Sequence, residues 1–300
     1  MAKEIKTIGV LTSGGDAPGM NAAIRAVVRK SIANGLKVKG IKKGYQGLLN
    51  EEIIDLEARN VSDTIQKGGT ILGTARCMEF LTEEGQQKGA DICHKHGIDG
   101  LVVIGGDGSY RGAQALSNHG INTIGIPGTI DLDIACTEYT IGFDTAINTA
   151  MQAIDKVRDT SSSHERCSII EVMGRNCGMI ALYAGIAAGA VAIAIPECPF
   201  DETYAIEKFR EAREHGKRGM IGVFAEGISI DSQVKYSETF AKKLQEETGI
   251  ETKFARLAHI VRGGSPTLRD RLHATQMGAD AVSYLLDGKS NLVMAIKDGK

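Results

Sequence analysis

Several absences narrow the class of this 300-residue chain at once. It has no tryptophan and only 5 prolines, against 37 glycines. No apolar run is long enough to span a bilayer, so no membrane partner is expected. The most apolar stretch, 180–195, is interrupted by Gly185 and Gly189 and reads as a helix followed by a strand. The charged start of the chain runs straight into a short apolar segment, which is read as part of the fold and not as a signal peptide. The 6 cysteines include no C-x-x-C pair and no framework spacing, so reduced thiols in a cytoplasmic protein are expected. A formal net charge of -2 carries no polyanion footprint and argues against nucleic acid as a main partner. Low-complexity segments and linkers are absent as well.

What is present is an ordinary globular composition, 42% hydrophobic and 24% charged, enough for a sizeable core. The glycines follow no Gly-X-Y period, so they serve tight turns and close backbone approach to ligands. Short apolar runs at 6–12, 100–105, 123–126, 168–172, 190–195 and 220–224 read as buried parallel strands, because they lack clean alternation. Between them, 20–34, 82–96, 109–118, 144–160, 201–216 and 236–248 read as amphipathic helices. This alternation predicts an α/β fold of two lobes, each a mainly parallel sheet flanked by helices, with the active site in the cleft between them. Residues 1–138 plus 252–300 are expected to form a larger lobe and 139–251 a smaller one.

Two stretches echo one another: IGVLTSGGDAPGMNAAI and LVVIGGDGSYRGAQAL each run from apolar strand through Gly-Gly-Asp to helix. Ligands of open α/β sheets bind beyond the carboxyl ends of the strands, so two such loops on one edge predict a shared cleft. Neither is a standard nucleotide fingerprint. The first lacks Gly-Lys-Ser/Thr, and the one Gly-Lys-Ser in the chain, 288–290, has Ser283 where a glycine is required. The second, Gly105 to Ser109, has Arg111 in place of the last glycine of G-x-G-x-x-G. Asp107 is well placed to hold Mg²⁺ beside phosphates, or to cap helix 109–118.

Arg76, Arg175 and Arg262 lie beside glycine turns and suit phosphate clamps, whereas Arg166 and Lys253 are weaker by pattern. The run Cys93-His94-Lys95-His96 is a helix end and not a metal site. His164 and His259 are better placed to touch a ligand, but no nucleophile–base pair is visible. In PGTIDLD, 127–133, Asp131 and Asp133 flank Leu132. Two carboxylates so close repel and need a cation, a proton or a separate placement.

These stretches together carry a resemblance. SGGDAPGMNAAIR (13–25), GGTILGTAR (68–76), GGDGS (105–109), PGTIDLD (127–133), DTSSSHER (159–166), EVMGRNCG (171–178) and HIVRGGSP (259–266) stand in the order found in the bacterial-type ATP-dependent 6-phosphofructokinases, which the chain resembles over nearly its full length. The resemblance implies transfer of a phosphoryl group from Mg-ATP to the 1-hydroxyl of fructose 6-phosphate in glycolysis. It makes Asp131 the base, Asp107 the Mg²⁺ anchor, Asp133 and Thr129 catalytic neighbours, and Gly15, Arg76 and Arg175 the lining of the transferring group. It places ATP at Gly106, Gly108, Ser109 and Cys77, and the sugar at Thr129, Ile130, Met173, Gly174 and Glu226. It puts the 6-phosphate at His259 and Arg262. Arg166 and Lys253 would reach in from a neighbouring subunit of a homotetramer, and Arg25, Arg29, Arg158 and Lys217 match an effector site. Pyrophosphate-using relatives carry Asp and Lys where this chain has Gly108 and Gly128, which favours ATP as donor.

The departures are as specific. Leu132 replaces an asparagine and Lys253 an arginine, and at the effector positions Ala58, Val191 and His215 replace arginine, glutamate and lysine. Weakened allosteric control is therefore expected. Relatives also continue for a further strand or helix past the position of Lys300. Two alternatives stand beside the main reading: a kinase of the same superfamily with another acceptor, and a catalytically impaired variant that binds nucleotide and sugar phosphate.

Overall fold

The computed structural model describes residues 5–228 and 236–299. Along them the elements are β1 (Thr7–Thr12), α1 (Met20–Ala33), β2 (Lys37–Ile41), α2 (Gly44–Leu49), β3 (Ile53–Asp55), α3 (Glu83–Lys95), β4 (Gly100–Gly105), α4 (Asp107–Asn118), β5 (Asn122–Thr129), β6 (Ile141–Gly142), α5 (Phe143–Ser163), β7 (Cys167–Val172), α6 (Met179–Ala187), β8 (Ala192–Ala194), α7 (Glu202–Glu214), β9 (Met220–Ala225), α8 (Tyr236–Thr248), β10 (Thr252–Arg256), α9 (Leu268–Leu286) and β11 (Leu292–Val293). Every residue of β1, β4, β7 and β9 is buried, which is why their sequences are mostly apolar and do not alternate, the buried Glu171 of β7 being the charged exception. Helix starts follow side-chain chemistry: Thr82, Asp201 and Thr267 each accept a first-turn N–H of α3, α7 and α9.

The chain divides into two compact units. The first comprises Met1–Ile130, Ile134–Asp144 and Arg262–Lys300. Its sheet runs β11-β5-β4-β1-β2-β3, with β6 pairing the end of β5, and every pairing is parallel except that of β2 with β3. One of its apolar clusters gathers Leu11, Tyr45, Leu48, Phe80, Leu101 and Leu116. The second unit comprises Asp131–Asp133 and Thr145–Val261, with a parallel sheet in the order β10-β7-β9-β8. Phe209, Phe224, Phe240 and Leu244 lie in its core. The α/β architecture read from strand–helix alternation is the one observed.

Differences are local. The helix expected at 109–118 starts at Asp107, and Gly106, its N-cap, gives no side-chain hydrogen bond, so Asp107 is a first-turn residue and not the cap. The strand expected at 190–195 is confined to Ala192–Ala194, whereas β5 runs on to Thr129. Helix α9 was not anticipated from the sequence. Its buried stripe mixes the small residues Ala274, Gly278 and Ala281 with Met277, Val282 and Leu285 and begins with a charged residue, Asp270, which leaves a faint apolar signal.

Candidate active site

In the first unit the two glycine loops leave neighbouring strands and are tied together. The Ser13 N–H donates to the Ile104 carbonyl at 3.0 Å, joining the ends of β1 and β4. Gly105 must be glycine: a Cβ there would lie 2.4 Å from both the Ser13 carbonyl oxygen and Ser109 Oγ. Thr74 Oγ1 donates to the Gly14 carbonyl at 2.7 Å, and Thr12 Oγ1 to that of Gly73 at 2.9 Å. Asn21, buried in the first turn of α1, donates from its amide to the carbonyls of Lys67 and Gly68 and accepts the Ile71 N–H at 2.7 Å. The segment leading to Arg76 is therefore stitched to the first loop. Arg76 itself is exposed, and Cys77 packs half-buried against the Tyr45–Phe80 cluster.

The second loop opens α4. Ser109 is buried, and its carbonyl accepts the Tyr45 hydroxyl at 2.5 Å, while the Tyr45 ring stacks on Phe80 at 4.2 Å. No atom lies within 4 Å of where a Cβ on Gly108 would stand, so the backbone there is open to a bulky anion. Asp107 is exposed and contacts Arg111 at 2.8 Å. Exposed pairs of this kind are weak and exchange readily for a better partner. A Cβ on Gly15 would lie 2.7 Å from Arg262 Nη1, which donates to the Asp16 carbonyl at 3.2 Å. Arg262 thus rests on the first glycine loop, bringing a cation to a place suited to anions. Among the described residues no group of three or more His, Cys, Asp or Glu is arranged to hold a metal ion. Mg²⁺ needs no such group when one carboxylate and the substrate's phosphates share it, and an exposed Asp107 beside open Gly108 fits that arrangement.

In the second unit the carboxyl ends of β7 and β9 carry the relevant loops. Glu226 Oε1 accepts the N–H of Arg175 at 2.8 Å and that of Gly174 at 3.3 Å, and the Glu226 N–H donates to the Val172 carbonyl. Arg175 is left-handed, with φ of 55°, and at Gly174, with φ of 147°, a Cβ would stand 2.2 Å from the Cys177 carbonyl oxygen. Glu226 therefore pins an irregular turn that ordinary side chains would resist. Just beneath, buried Glu171 pairs with Arg256, whose guanidinium is driven above its usual value by that carboxylate. Asp131 is buried and Asp133 exposed, so the two carboxylates occupy different environments, and Leu132 between them is left-handed at φ 55°.

Two basic pairs also assemble in this unit. Lys253 Nζ sits 2.8 Å from Glu251 Oε1 and Arg166 Nη1 3.9 Å from the same oxygen. Hydrogen bonding from Lys253 holds the Glu251 carboxyl below its usual value. Arg158 donates to the carbonyls of Ala188 and Gly219, and Lys217 to that of Gly189 at 3.5 Å. Burial, and then the Arg158 charge, press the Lys217 ammonium below its usual value. Arg25 is half-buried and Arg29 exposed on α1, His259 is exposed on the single turn Ala258–Arg262, and Met173 is half-buried. Thr129 and Ile130 are buried at and just past the end of β5. Sequence reasoning missed Asn21, Tyr45, Thr74, Glu171 and Arg256 as supports of these loops. The one available signal was Asn21, a polar residue on the apolar face of its helix.

A model of the family described as Phosphofructokinase matches residues 7–285. The ATP-dependent 6-phosphofructokinase of Clostridium botulinum is 56% identical over 296 residues, which cover 99% of this chain and 91% of that relative. Among solved structures, the phosphofructokinase of Saccharomyces cerevisiae superposes with a TM-score of 0.91 at 36% identity, covering 98% of this chain. That of Pichia pastoris in the T-state gives 0.92, also at 36%. The chain spans 44% and 36% of the lengths of those two yeast chains, respectively. The family model spans most of the chain and the Clostridium relative is 56% identical over 99% of it, and the chain belongs to the phosphofructokinase family.

Proposed function

We propose that the protein transfers the γ-phosphoryl group of ATP to the 1-hydroxyl of fructose 6-phosphate, giving fructose 1,6-bisphosphate and ADP. The observation that carries this reading is 56% identity, over 99% of the chain, to an ATP-dependent 6-phosphofructokinase. In this reading residues of the first unit take the nucleotide, at Gly106, Gly108, Ser109 and Cys77, and residues of the second take most of the sugar. Asp107, together with the phosphates, would hold Mg²⁺, which would supply charge neutralisation.

The buried carboxylate of Asp131 accepts the proton of the 1-hydroxyl as that oxygen attacks. Asp133 and Thr129 orient the acceptor. Arg175, its N–H anchored on Glu226, joins Gly15 and Arg76 in lining the moving group, where preorganised donors lower the barrier. Ile130, Met173, Gly174 and Glu226 hold the sugar, and His259 and Arg262 its 6-phosphate. The open space at Gly108 supports ATP over pyrophosphate, because a carboxylate there would repel an α-phosphate.

The same reading makes the working enzyme a cytoplasmic homotetramer in which Arg166 and Lys253 complete a neighbour's site. Arg25, Arg29, Arg158 and Lys217 form a weakened effector site. A coupled assay with fructose 6-phosphate, comparing ATP with pyrophosphate, tests the proposal. Turnover is expected with ATP, dependent on Mg²⁺ and on the sugar phosphate; turnover with pyrophosphate alone overturns the donor, and none with either overturns the reaction. Asp131→Ser is expected to lower kcat by about 10²- to 10⁴-fold, the usual contribution of a positioned base, and a near-normal rate removes that role.

A further inference from the structure

We propose that Asp270 is a positioning residue for phosphoryl transfer, holding through Gly142 the strand end from which Asp131 follows; this rests on the reading of Asp131 as the base. Asp270 lies in the first turn of α9, is wholly buried, and donates its own N–H to the capping Thr267 hydroxyl at 3.3 Å. Its Oδ1 accepts the Tyr139 hydroxyl at 2.5 Å and the Gly142 N–H at 2.7 Å. Gly142 and Ile141 are β6, paired in parallel with Thr129 and Gly128 at the end of β5. Asp131 is the second residue after Thr129.

The same junction closes on the first glycine loop. Gly142, at φ 109°, has no room for a side chain: its Cβ would lie 2.6 Å from that of Ala17 and 3.3 Å from Ile130 Cγ2. Gly19, at φ 108°, would place a Cβ 2.5 Å from Ile141 Cγ2 and 3.5 Å from Asp270 Cβ. One buried carboxylate therefore fixes a segment that touches both the phosphate loop and the strand leading to the base. The Tyr139 ring is itself held, with the Arg269 guanidinium 4.6 Å above it and the His273 ring 4.6 Å away. Burial, followed by the charge of Asp270, pushes the Tyr139 phenol well above its usual value, so it stays an O–H donor to the carboxylate. Burying a carboxylate is costly unless several donors converge on it, and an aliphatic residue would fill the space more cheaply. What the carboxylate adds is a fixed position for Gly142. A misplacement of about 1 Å at a reacting group can lower a rate by about 10²-fold.

The test is steady-state kinetics with ATP and fructose 6-phosphate on Asp270→Ala, Asp270→Asn and Tyr139→Phe, beside thermal unfolding of each. Asp270→Ala is expected to lower kcat by about 10²-fold while both KM values stay within about threefold, since binding groups remain and only the base shifts. Asp270→Asn keeps an acceptor oxygen for the Gly142 N–H and is expected to recover kcat to about fivefold below wild type, as is Tyr139→Phe, each change weakening one hydrogen bond by roughly 1 kcal/mol. A folded Asp270→Ala with normal kcat, a loss matched by the unfolded fraction, or an Asn variant no better than Ala each overturns the proposal. Should the Ala variant not fold, wild-type kcat in both Asp270→Asn and Tyr139→Phe overturns it. Asp131→Ser in the same series separates the two claims. Activity surviving that change removes the site assignment, whereas an inactive Asp131→Ser beside a wild-type-like Asp270→Ala removes only the role of Asp270.

Discussion

At Leu132 the backbone adopts φ of 55°, a region that costs a non-glycine residue roughly 1–2 kcal/mol and that asparagine tolerates better than leucine. That gives a backbone reason for the asparagine expected there from the family pattern. Leu132 is half-buried, so replacing it also gives up apolar contact of roughly 1 kcal/mol. The two terms nearly cancel, and Leu132→Asn is expected to leave the unfolding free energy within about 1 kcal/mol of wild type. Its kcat is expected to rise a few-fold, because an amide can hydrogen-bond the turn that carries both aspartates; an unchanged kcat by coupled assay would mean that the leucine only packs. The identity of the residue between the carboxylates was legible in the sequence. Its left-handed backbone was not, because that conformation is imposed by the segments on either side. Glu226 is named only by the resemblance, for touching sugar; that it anchors the N–H groups of Gly174 and Arg175 is visible only with β7 and β9 side by side.

At the scale of elements, the strands with continuous apolar runs were the most legible, since burial on both faces leaves no alternation to misread. Helix α8 was read at its observed bounds, 236–248, from its apolar period. Helix α9 escaped because it packs by closeness and not by bulk. A Cβ on Gly278 would lie 2.7 Å from the Ala23 carbonyl oxygen and 2.8 Å from the Ala26 Cβ, both on α1. Alanine in place of a mid-helix glycine ordinarily stabilises by roughly 1 kcal/mol. Here the contact is with backbone, which cannot give way, and overpacking of this kind costs about 1–3 kcal/mol. Gly278→Ala is therefore expected to lower the melting temperature, read by calorimetry, against the sign that helix propensity alone would give. The short elements β2, α2, β3, β6, β10 and β11 were also missed, each too brief to establish a period.

For the whole molecule, a set of buried acids with raised values shapes the response to alkali. Burial pushes the Cys93 thiol from the usual 9.0 up to about 12, and the Cys167 thiol and the Tyr45, Tyr139 and Tyr236 phenols are driven upward chiefly by the same cause. The folded state therefore keeps protons that the unfolded chain would release. This stabilisation is fully present below the unfolded values, near pH 9 for the thiols, and is lost as pH climbs toward the folded ones. Urea midpoints are expected to hold up to about pH 9 and to fall steadily between about pH 9 and 12, with thiols and then phenols ionising. A flat profile across that interval would show that these groups titrate alike in both states.

The antiparallel strand β3 has a consequence of a different kind. It ends one side of the first sheet with only 3 residues, its Asp55 carboxylate paired with Lys39 at 2.7 Å, and β11 ends the other side with 2. Rows of unpaired backbone donors and acceptors this short cannot template another strand. In the second unit the edge strand β10 is longer, 5 residues, but carries Lys253 and Arg256. An incoming strand would have to disturb the pairs those cations already make with Glu251 and Glu171. A chain this rich in continuous apolar strands thus carries, at its sheet borders, its own protection against fibrous self-association.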